Sequence, residues 1–453
     1  MLLQRFRSLA ASDPEAPALT EGATGAVTTR SALIGLASDT AKKLSHAGVE
    51  GGDLIAIQLP NSPEFVASWL AALELSLVVI PIDRDAPQNE VSSILGHFDA
   101  CALVSKSGIQ VRETRQRSIL PRDARLVKLT SGSTGKPKGI VTSAANLAAD
   151  AAHICSTMGI LPGDINLGAI PFSHSYGFSN LVSPLLTQGT AIVISNDYLP
   201  LSILDLCNRH RCTVMPGIPM MFDHLASMRD DDGSFTSVRT FLSAGAPLPA
   251  TTSRRFRERF GIPIHTFYGC SECGGISYDR AGAAVERGTA GTAMDGVQVS
   301  LEQTRVTVTS DAVALGYLHD AETFEPFTRQ TFTTDDLAEI RSDGEIEIIG
   351  RSSELINTAG KKVNPREIEE VILQIEGVRQ VKVYGEPAGA RGEVVAAAVV
   401  ASPEVTREMI RDHCRAHLSL NKVPRIVKLI ESIPVDERGK VKRAALIGLG
   451  LSS

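Results

Sequence analysis

Ten consecutive residues, Thr130 to Gly139, hold three glycines, four hydroxyls and two lysines in the order Thr-Ser-Gly-Ser-Thr-Gly-Lys-Pro-Lys-Gly. Glycines let the backbone turn with its N–H groups exposed, hydroxyls add donors, and lysines bring charge where a polyphosphate must be neutralised. Thr130, Ser131, Gly132, Ser133, Thr134, Gly135, Lys136 and Lys138 are therefore candidate phosphate ligands. The run is not a P-loop, which needs Ser or Thr after its lysine to hold Mg²⁺ and opens a helix. Here Pro137 follows Lys136, and the apolar stretches at 126–129 and 140–142 predict a short buried strand on each side.

Other residues able to do chemistry lie downstream. His174 sits among aromatics in Pro171-Phe172-Ser173-His174-Ser175-Tyr176-Gly177-Phe178, at the end of a strand expected from Asn166 to Ile170. Such strand ends are where an open α/β sheet presents its ligand contacts. Met215 to Met221 and Ser243 to Leu248 also follow strands, and the three methionines of the first suit either core filling or an adaptable apolar pocket. Of seven scattered cysteines, Cys270 and Cys273 alone have metal or redox spacing, and with no second pair they do not make a zinc site.

The elements that must position these residues are legible from periodicity. Leu33, Leu36, Ala37, Ala41 and Leu44 share a helical face that Gly48 can close. A strand from Leu54 to Leu59 follows. Ser62 then caps a helix with Pro63 at its first position, running to Leu75, and Leu77 to Ile80 is again a strand. A helix from Asn89 to Phe98, a strand from Ala102 to Ser105 and a polar loop to Arg125 bring the chain to the phosphate run. Repeated βα units with continuous apolar strands predict a mostly parallel sheet covered by helices on both faces. From Gly291 to Leu318, period-two alternation of Val and Thr predicts a small antiparallel barrel or sheet. The last hundred or so residues read as a separate α+β domain, with Asn364, Pro365 and Glu367 capping a helix through Ile375.

With 453 residues, 43% of them hydrophobic and 21% charged, the chain can bury a large core in two or more domains. A net charge of −6 gives no reason to expect nucleic acid or anionic membrane as a partner. The apolar stretch from Phe65 to Ile82 carries Glu74 and is broken by Pro81, so no transmembrane segment is expected. The first residues lack the features of a signal peptide, and a cytoplasmic location is the expectation.

The phosphate run resembles the phosphate loop of the adenylate-forming superfamily of acyl-CoA synthetases, peptide-synthetase adenylation domains and luciferases. Its companions follow in the family's order. His174, with Phe172 and Tyr176, is similar to the acid-pocket motif, where amino-acid-activating relatives carry an aspartate that this chain lacks. Gly217 and the turn Gly245-Ala246-Pro247 look like the acyl- and adenine-pocket turns. Tyr268-Gly269-Cys270-Ser271-Glu272 resembles the Tyr-Gly-x-Thr-Glu motif, which implies Tyr268 near adenine, Ser271 on phosphate and Glu272 on Mg²⁺, joined by Thr134. Cys270 and Gly274 would then face the acid. Thr334-Asp335-Asp336-Leu337 resembles the ribose motif Thr-Gly-Asp-Leu, implying Asp336 and then Arg351 as ribose contacts, with Asp335 replacing the usual Gly. The family's hinge position, usually Asp or Lys, is Ser353. Gly360 and Lys361 match the loop of the pantetheine tunnel, and Lys440 in Pro434-x4-Gly-Lys-x2-Arg443 matches the catalytic lysine.

The resemblance spans Ser31 to Arg443 through six motifs. It implies an α/β fold: residues 1–350 as an N-terminal ATP- and acid-binding domain of mostly parallel sheets with a small β subdomain, and residues 351–453 as a small mobile C-terminal domain. It implies ATP, Mg²⁺ and coenzyme A as cofactors and a carboxylic acid as substrate, activated to an acyl-adenylate and passed to a thiol. A carrier-protein phosphopantetheine presents the same thiol arm as coenzyme A, and sequence does not separate the two acceptors. A non-catalytic nucleotide sensor would be expected to lack Lys440, Glu272 or Asp336, and all three are present. The expected pocket walls contain only His174 and Glu272 as ionisable groups besides tyrosine and thiols, so a neutral tail, fatty or aryl, is expected. Gly274 and Gly275 are expected to leave room for that tail.

Overall fold

Ser62 shows how local signals build the scaffold. Its hydroxyl accepts from the Phe65 N–H at the start of the helix Pro63–Glu74, with Pro63 in the first turn, and the helix buries Phe65, Val66, Trp69 and Leu70. Ser143 does the same after the phosphate run: a reciprocal cap with Asn146 launches the helix Ala144–Met158, which Gly159 closes in a left-handed conformation. The structure is a computed structural model. It describes residues 2–112, 119–131, 137–328, 330–358, 361–387, 393–434 and 443–448.

The chain divides into two compact units, one of Met1–Ser300, Thr307–Thr333 and Ile340–Glu347, the other of Leu301–Val306, Thr334–Glu339 and Ile348–Ser453. The first unit holds two large sheets. In the nine-stranded sheet, Ile264–Cys270, Thr240–Ser243, Val214–Gly217, Ile165–Gly168, Ala191–Ile194 and Pro17–Glu21 run parallel in that spatial order, with antiparallel strands at both edges. In the eight-stranded sheet, Ala124–Ser131, Val78–Pro81, Leu54–Gln58 and Ala102–Ser105 are the parallel centre. Strands buried on both faces, such as Leu54–Gln58 and Val78–Pro81, are near-continuous apolar runs for that reason. One core packs Phe65, Trp69 and Leu126 with Phe172, Phe178 and Ile192, so it joins residues of both sheets.

Two expectations are corrected here. The polar stretch after Ser105 is not all loop, because Gly108–Val111 forms an antiparallel edge strand beside Ala102–Ser105. The period-two segment does form a small sheet, since Gln298–Glu302 and Arg305–Thr309 are neighbours in a four-stranded one, but its last part does not stay with it. Its strand Gly316–Leu318 pairs with Pro137–Ser143, which puts Tyr317 opposite Ile140 in the eight-stranded sheet. Alternation identifies a strand but says nothing of which partner it finds.

The second unit is small and α+β. Val378–Pro387, Glu393–Ala401 and Ile426–Leu429 form a three-stranded sheet, and Ile356–Thr358 pairs with Lys361–Val363. The helices Pro365–Ile372 and Arg407–His417 pack Ile368, Ile372, Ile410 and Cys414 against it. Asn364 caps the first of them by accepting from the Arg366 N–H.

Candidate active site

The strands on either side of the phosphate run are antiparallel neighbours, with Ser131 across from Pro137 and Thr130 across from Lys138. Residues Gly132, Ser133, Thr134, Gly135 and Lys136 lie outside the described residues, as do Gly360 and Lys440. Of the run, the Thr130 hydroxyl donates to the Lys138 carbonyl at 3.4 Å, and the Lys138 ammonium lies 3.2 Å from the centre of the Tyr317 ring.

Tyr317 also reaches the second motif. Its hydroxyl donates to Glu272 Oε1 at 3.0 Å, and burial together with the Glu272 charge raises the phenol well above its ordinary value, so it remains a donor. Glu272 sits in the tight turn between Ile264–Cys270 and Gly274–Tyr278, an antiparallel hairpin whose register slips between Tyr268 and Gly269. A side chain at Gly269 would press on the Gly274 carbonyl, which fixes glycine there. In the same turn the Ser271 and Ser175 hydroxyls lie 2.8 Å apart, and the Lys128 ammonium donates to the Ser271 carbonyl at 3.4 Å. The Cys270 thiol is held protonated, by its contact with Cys273 first and by burial second.

Buried Asn61 sets the His174 segment in place. Its amide donates to the carbonyls of Gly168 and Ile170 at 2.9 and 2.8 Å, and its oxygen accepts from the Phe172 N–H at 2.7 Å. His174 then projects from the strand end with its Nε2 3.1 Å from Asp83 Oδ2. Tyr176 donates to the Leu242 carbonyl at 3.0 Å and packs its ring 5.9 Å from that of Phe267. Gly217 ends the strand Val214–Gly217, where an added Cβ would come 3.0 Å from the Phe222 ring. Gly245, Ala246 and Pro247 form an exposed turn after Thr240–Ser243, with Gly245 at φ +86°, a conformation that favours glycine.

Several expected roles change. Phe172 is fully buried and packs 5.7 Å from Phe65, so it belongs to the core rather than to a pocket wall. Met215 and Met221 are likewise core, while Met220 is exposed. The room expected beside Gly274 and Gly275 is filled by protein. An added Cβ would meet the Asp150 carboxylate at 2.3 Å in the first case and Met294 sulfur at 2.5 Å in the second. Asp150 is buried, accepting from the Gly275 N–H at 2.9 Å and the Ser179 hydroxyl at 2.6 Å. Asp83 and Lys128, which lie outside the stretches expected to wall the pocket, add to the ionisable groups near His174 and Ser271. Asp83 had a signal, since it follows the end of a parallel strand. Tyr317 and Lys128 had none.

In the second unit Asp336 is nearly buried and its Oδ1 accepts from Arg351 Nε at 2.9 Å. The two expected ribose residues thus form an ion pair with each other. Ser353 gives its N–H to Asp335 Oδ2 at 3.2 Å and its hydroxyl to the same oxygen. Lys361 is exposed at the start of its strand.

A family model described as AMP-binding enzyme matches residues 6–125 and 105–318, and one described as AMP-binding enzyme C-terminal domain matches residues 367–440. The chain belongs to the AMP-binding enzyme family. It is thereby a member of the adenylate-forming superfamily. Among relatives of this AMP-binding enzyme, feruloyl-CoA synthase of an Amycolatopsis species is 26% identical, over 94% of each chain. A long-chain-fatty-acid–CoA ligase of Mycobacterium tuberculosis is 26% identical over 97% of each. The fold matches ATP-bound MatB from Rhodopseudomonas palustris with a TM-score of 0.84 at 24% identity, covering 99% of both chains. No described helix is long and apolar enough to cross a membrane.

A Mg²⁺ site fits this donor set. Glu272 offers a hard carboxylate oxygen oriented by Tyr317. Among the described residues no group of three or more His, Cys, Asp or Glu could hold a metal by itself. Mg²⁺ commonly takes one or two carboxylates and completes its shell with substrate phosphates and water.

Proposed function

We propose that this AMP-binding enzyme is an acid–thiol ligase: it joins a carboxylic acid to AMP from ATP, releases pyrophosphate, and passes the acyl group to the thiol of coenzyme A. The observation that carries this reading is Tyr317, which holds Glu272 by its hydroxyl and Lys138 by its ring. A phosphate-run lysine and the carboxylate proposed for Mg²⁺ are thereby fixed around one side chain.

The chemistry brings two anions together, so the site must supply cations and exclude water. Bound Mg²⁺ neutralises phosphate charge, and Glu272 and Thr134 would hold it. Thr130, Ser131, Ser133 and the glycine N–H groups of the run would bind and orient the phosphates. Ser271 would donate to phosphate, Asp336 and Arg351 would position the ribose, and Tyr268 and the 245–247 turn would flank adenine. His174, oriented by Asp83, would face the acid beside Tyr176 and the protonated Cys270 thiol. Lys440 would reach the carboxylate and α-phosphate oxygens during adenylation. Turning about Ser353 would then withdraw Lys440 and bring Gly360 and Lys361 to the thiol arm, so that one centre serves two half-reactions.

The acid is proposed to be a medium- or long-chain fatty acid or an aryl acid, which the feruloyl and fatty-acid relatives support. Pyrophosphate exchange across a panel of acids tests it. Exchange is expected to rise from acetate to octanoate or benzoate, by about 0.8 kcal/mol per buried CH₂ until the pocket is full. Preference for acetate, an amino acid or a dicarboxylate would refute the substrate class, and exchange with none of them would refute the ligase. Acyl transfer to a carrier-protein thiol but not to coenzyme A would replace the acceptor.

A further inference from the structure

Lys128 has no part in the motifs above, and its placement is unusual for a lysine. It lies in the strand Ala124–Ser131 between Pro137–Ser143 and Val78–Pro81, and only 5% of its surface is exposed. Alternation puts Leu126, Lys128 and Thr130 on one face of the sheet. Leu126 on that face packs in the core with Ile170, Phe172 and Phe178, at the strand end that carries His174. The Lys128 ammonium emerges beside Ser271, its Nζ 3.4 Å from that carbonyl and one residue from Glu272.

An ammonium has three donors. Here one of them makes a long bond to a neutral carbonyl, and no described carboxylate lies within ion-pair distance of Nζ. Burying a charge without a counter-charge is costly, and an apolar residue of equal volume would be the more stable choice for the empty protein. Ile140, directly across the ladder from Lys128, shows that an apolar side chain suits this strand pair. The missing negative charge has an obvious origin in a site that assembles a carboxylate and a phosphate.

We propose that Lys128 is an anion-binding residue of the active centre, its ammonium completed by an anionic oxygen of the reactants, either the acid's carboxylate or the α-phosphate. The inference rests on the ligase reading for the identity of the anion. It adds a cation in the first unit, independent of Lys440.

The test is Lys128→Met, which keeps length and removes charge. Three quantities are measured: thermal stability without ligands, ATP affinity by calorimetry, and the KM and kcat for acid in pyrophosphate exchange. The expected result is an unliganded melting temperature equal to or above that of the wild type, with ligand affinity weakened about tenfold or more, as for loss of a charge-assisted hydrogen bond. Weakening in ATP affinity identifies the phosphate as the anion, and weakening in acid KM identifies the carboxylate. Affinities for both within about twofold of wild type overturn the proposal, whether the melting temperature falls or not. Should the methionine variant fail to fold, Lys128→Gln is held to the same criteria. Wild-type protein that exchanges pyrophosphate with no acid refutes the ligase reading instead, and the ATP affinities still decide on Lys128.

Discussion

Asp335 Oδ2 accepts two hydrogen bonds from Ser353, one from its N–H at 3.2 Å and one from its hydroxyl. These are two of the positions at which the chain departs from its family's pattern, Asp for Gly in the ribose motif and Ser for Asp or Lys at the hinge. Each departure supplies the other's partner, so the pair ties the ribose motif to the proposed hinge. An exposed hydrogen bond of this kind is worth about 0.5 to 1.5 kcal/mol. Ser353→Ala removes one of the two bonds, and it is predicted to shift the ratio of adenylation to thioester formation by about two- to tenfold, with little change in melting temperature. The two half-reactions are measured separately, by pyrophosphate exchange and by transfer from a supplied acyl-adenylate. An unchanged ratio would remove the pair from the hinge.

Tyr317→Phe keeps the ring under Lys138 and deletes the hydroxyl that holds Glu272. A carboxylate free to rotate binds a cation less well, and a hydrogen bond to a charged group is worth about 1.5 to 3 kcal/mol. The predicted result is an apparent Mg²⁺ affinity lower by about tenfold or more, seen both in titrations of ATP binding with Mg²⁺ and in exchange rates. Tyr317→Leu should add a loss of ATP affinity through Lys138. If Tyr317→Phe has wild-type Mg²⁺ dependence, Glu272 is not the metal ligand that Tyr317 orients.

The contrast between these residues shows what sequence could and could not reveal. Ser62 and Pro63, and Asn364 with Pro365, were readable because caps are local, set by a few adjacent residues. The order of the motifs along the chain was enough to recognise the superfamily. Tyr317 was not readable, because its meeting with Glu272 depends on Gly316–Leu318 choosing Pro137–Ser143 as its neighbour. Pairing between distant strands leaves no periodic trace in either of them. Gly274 was misread for a different reason: a glycine marks a place where no side chain fits, and only the fold tells whether substrate or protein occupies the space.

Gly274→Ala tests that last point. Gly274 has φ +72° and its missing Cβ would overlap the Asp150 carboxylate, so both backbone and packing oppose any side chain. Left-handed strain in a non-glycine residue alone costs about 1 to 3 kcal/mol. The variant is predicted to lose stability by at least that amount, and Asp150→Ala to destabilise the same hairpin by orphaning the Gly275 N–H. Thermal melts decide it. A Gly274→Ala variant as stable as wild type, but with its acid preference shifted toward shorter chains, would restore the idea that a substrate tail runs there.

Asp336 is the next to test. It is nearly buried, and its partner Arg351 is half exposed, so the aspartate is the anchored member of the pair. The proposed ribose contact gives it a second task, accepting hydrogen bonds from the sugar hydroxyls. Asp336→Ala is predicted to raise the KM for ATP about tenfold or more, the equivalent of roughly 1.5 to 3 kcal/mol for charge-assisted hydrogen bonds, while the KM for acid stays put. Arg351→Ala should have a smaller effect, since much of its charge is already screened by water. A rise in both KM values together would point to a folding defect rather than to a ribose site.

Glu345 gives a prediction about acid. Its carboxylate is nearly buried and accepts from Arg287 Nε at 2.9 Å and from the Thr289 hydroxyl at 2.8 Å. The Arg287 hydrogen bond, and then that of Thr289, hold it below the ordinary glutamate value of 4.5 against the opposing effect of burial. A carboxylate whose folded value is depressed contributes stability that is fully present above its unfolded value and is lost as pH falls through the folded one. The melting temperature should therefore drop below pH 4.5 more steeply in wild type than in Glu345→Gln, which has no proton to take up at this position. At neutral pH the glutamine variant is the less stable protein, because it has given up the ionic partner of Arg287. The two melting curves should converge toward acid pH. Parallel curves from pH 7 down to pH 3 would mean that Glu345 titrates alike in folded and unfolded chains, and that its contacts with Arg287 and Thr289 do not hold the charge in solution.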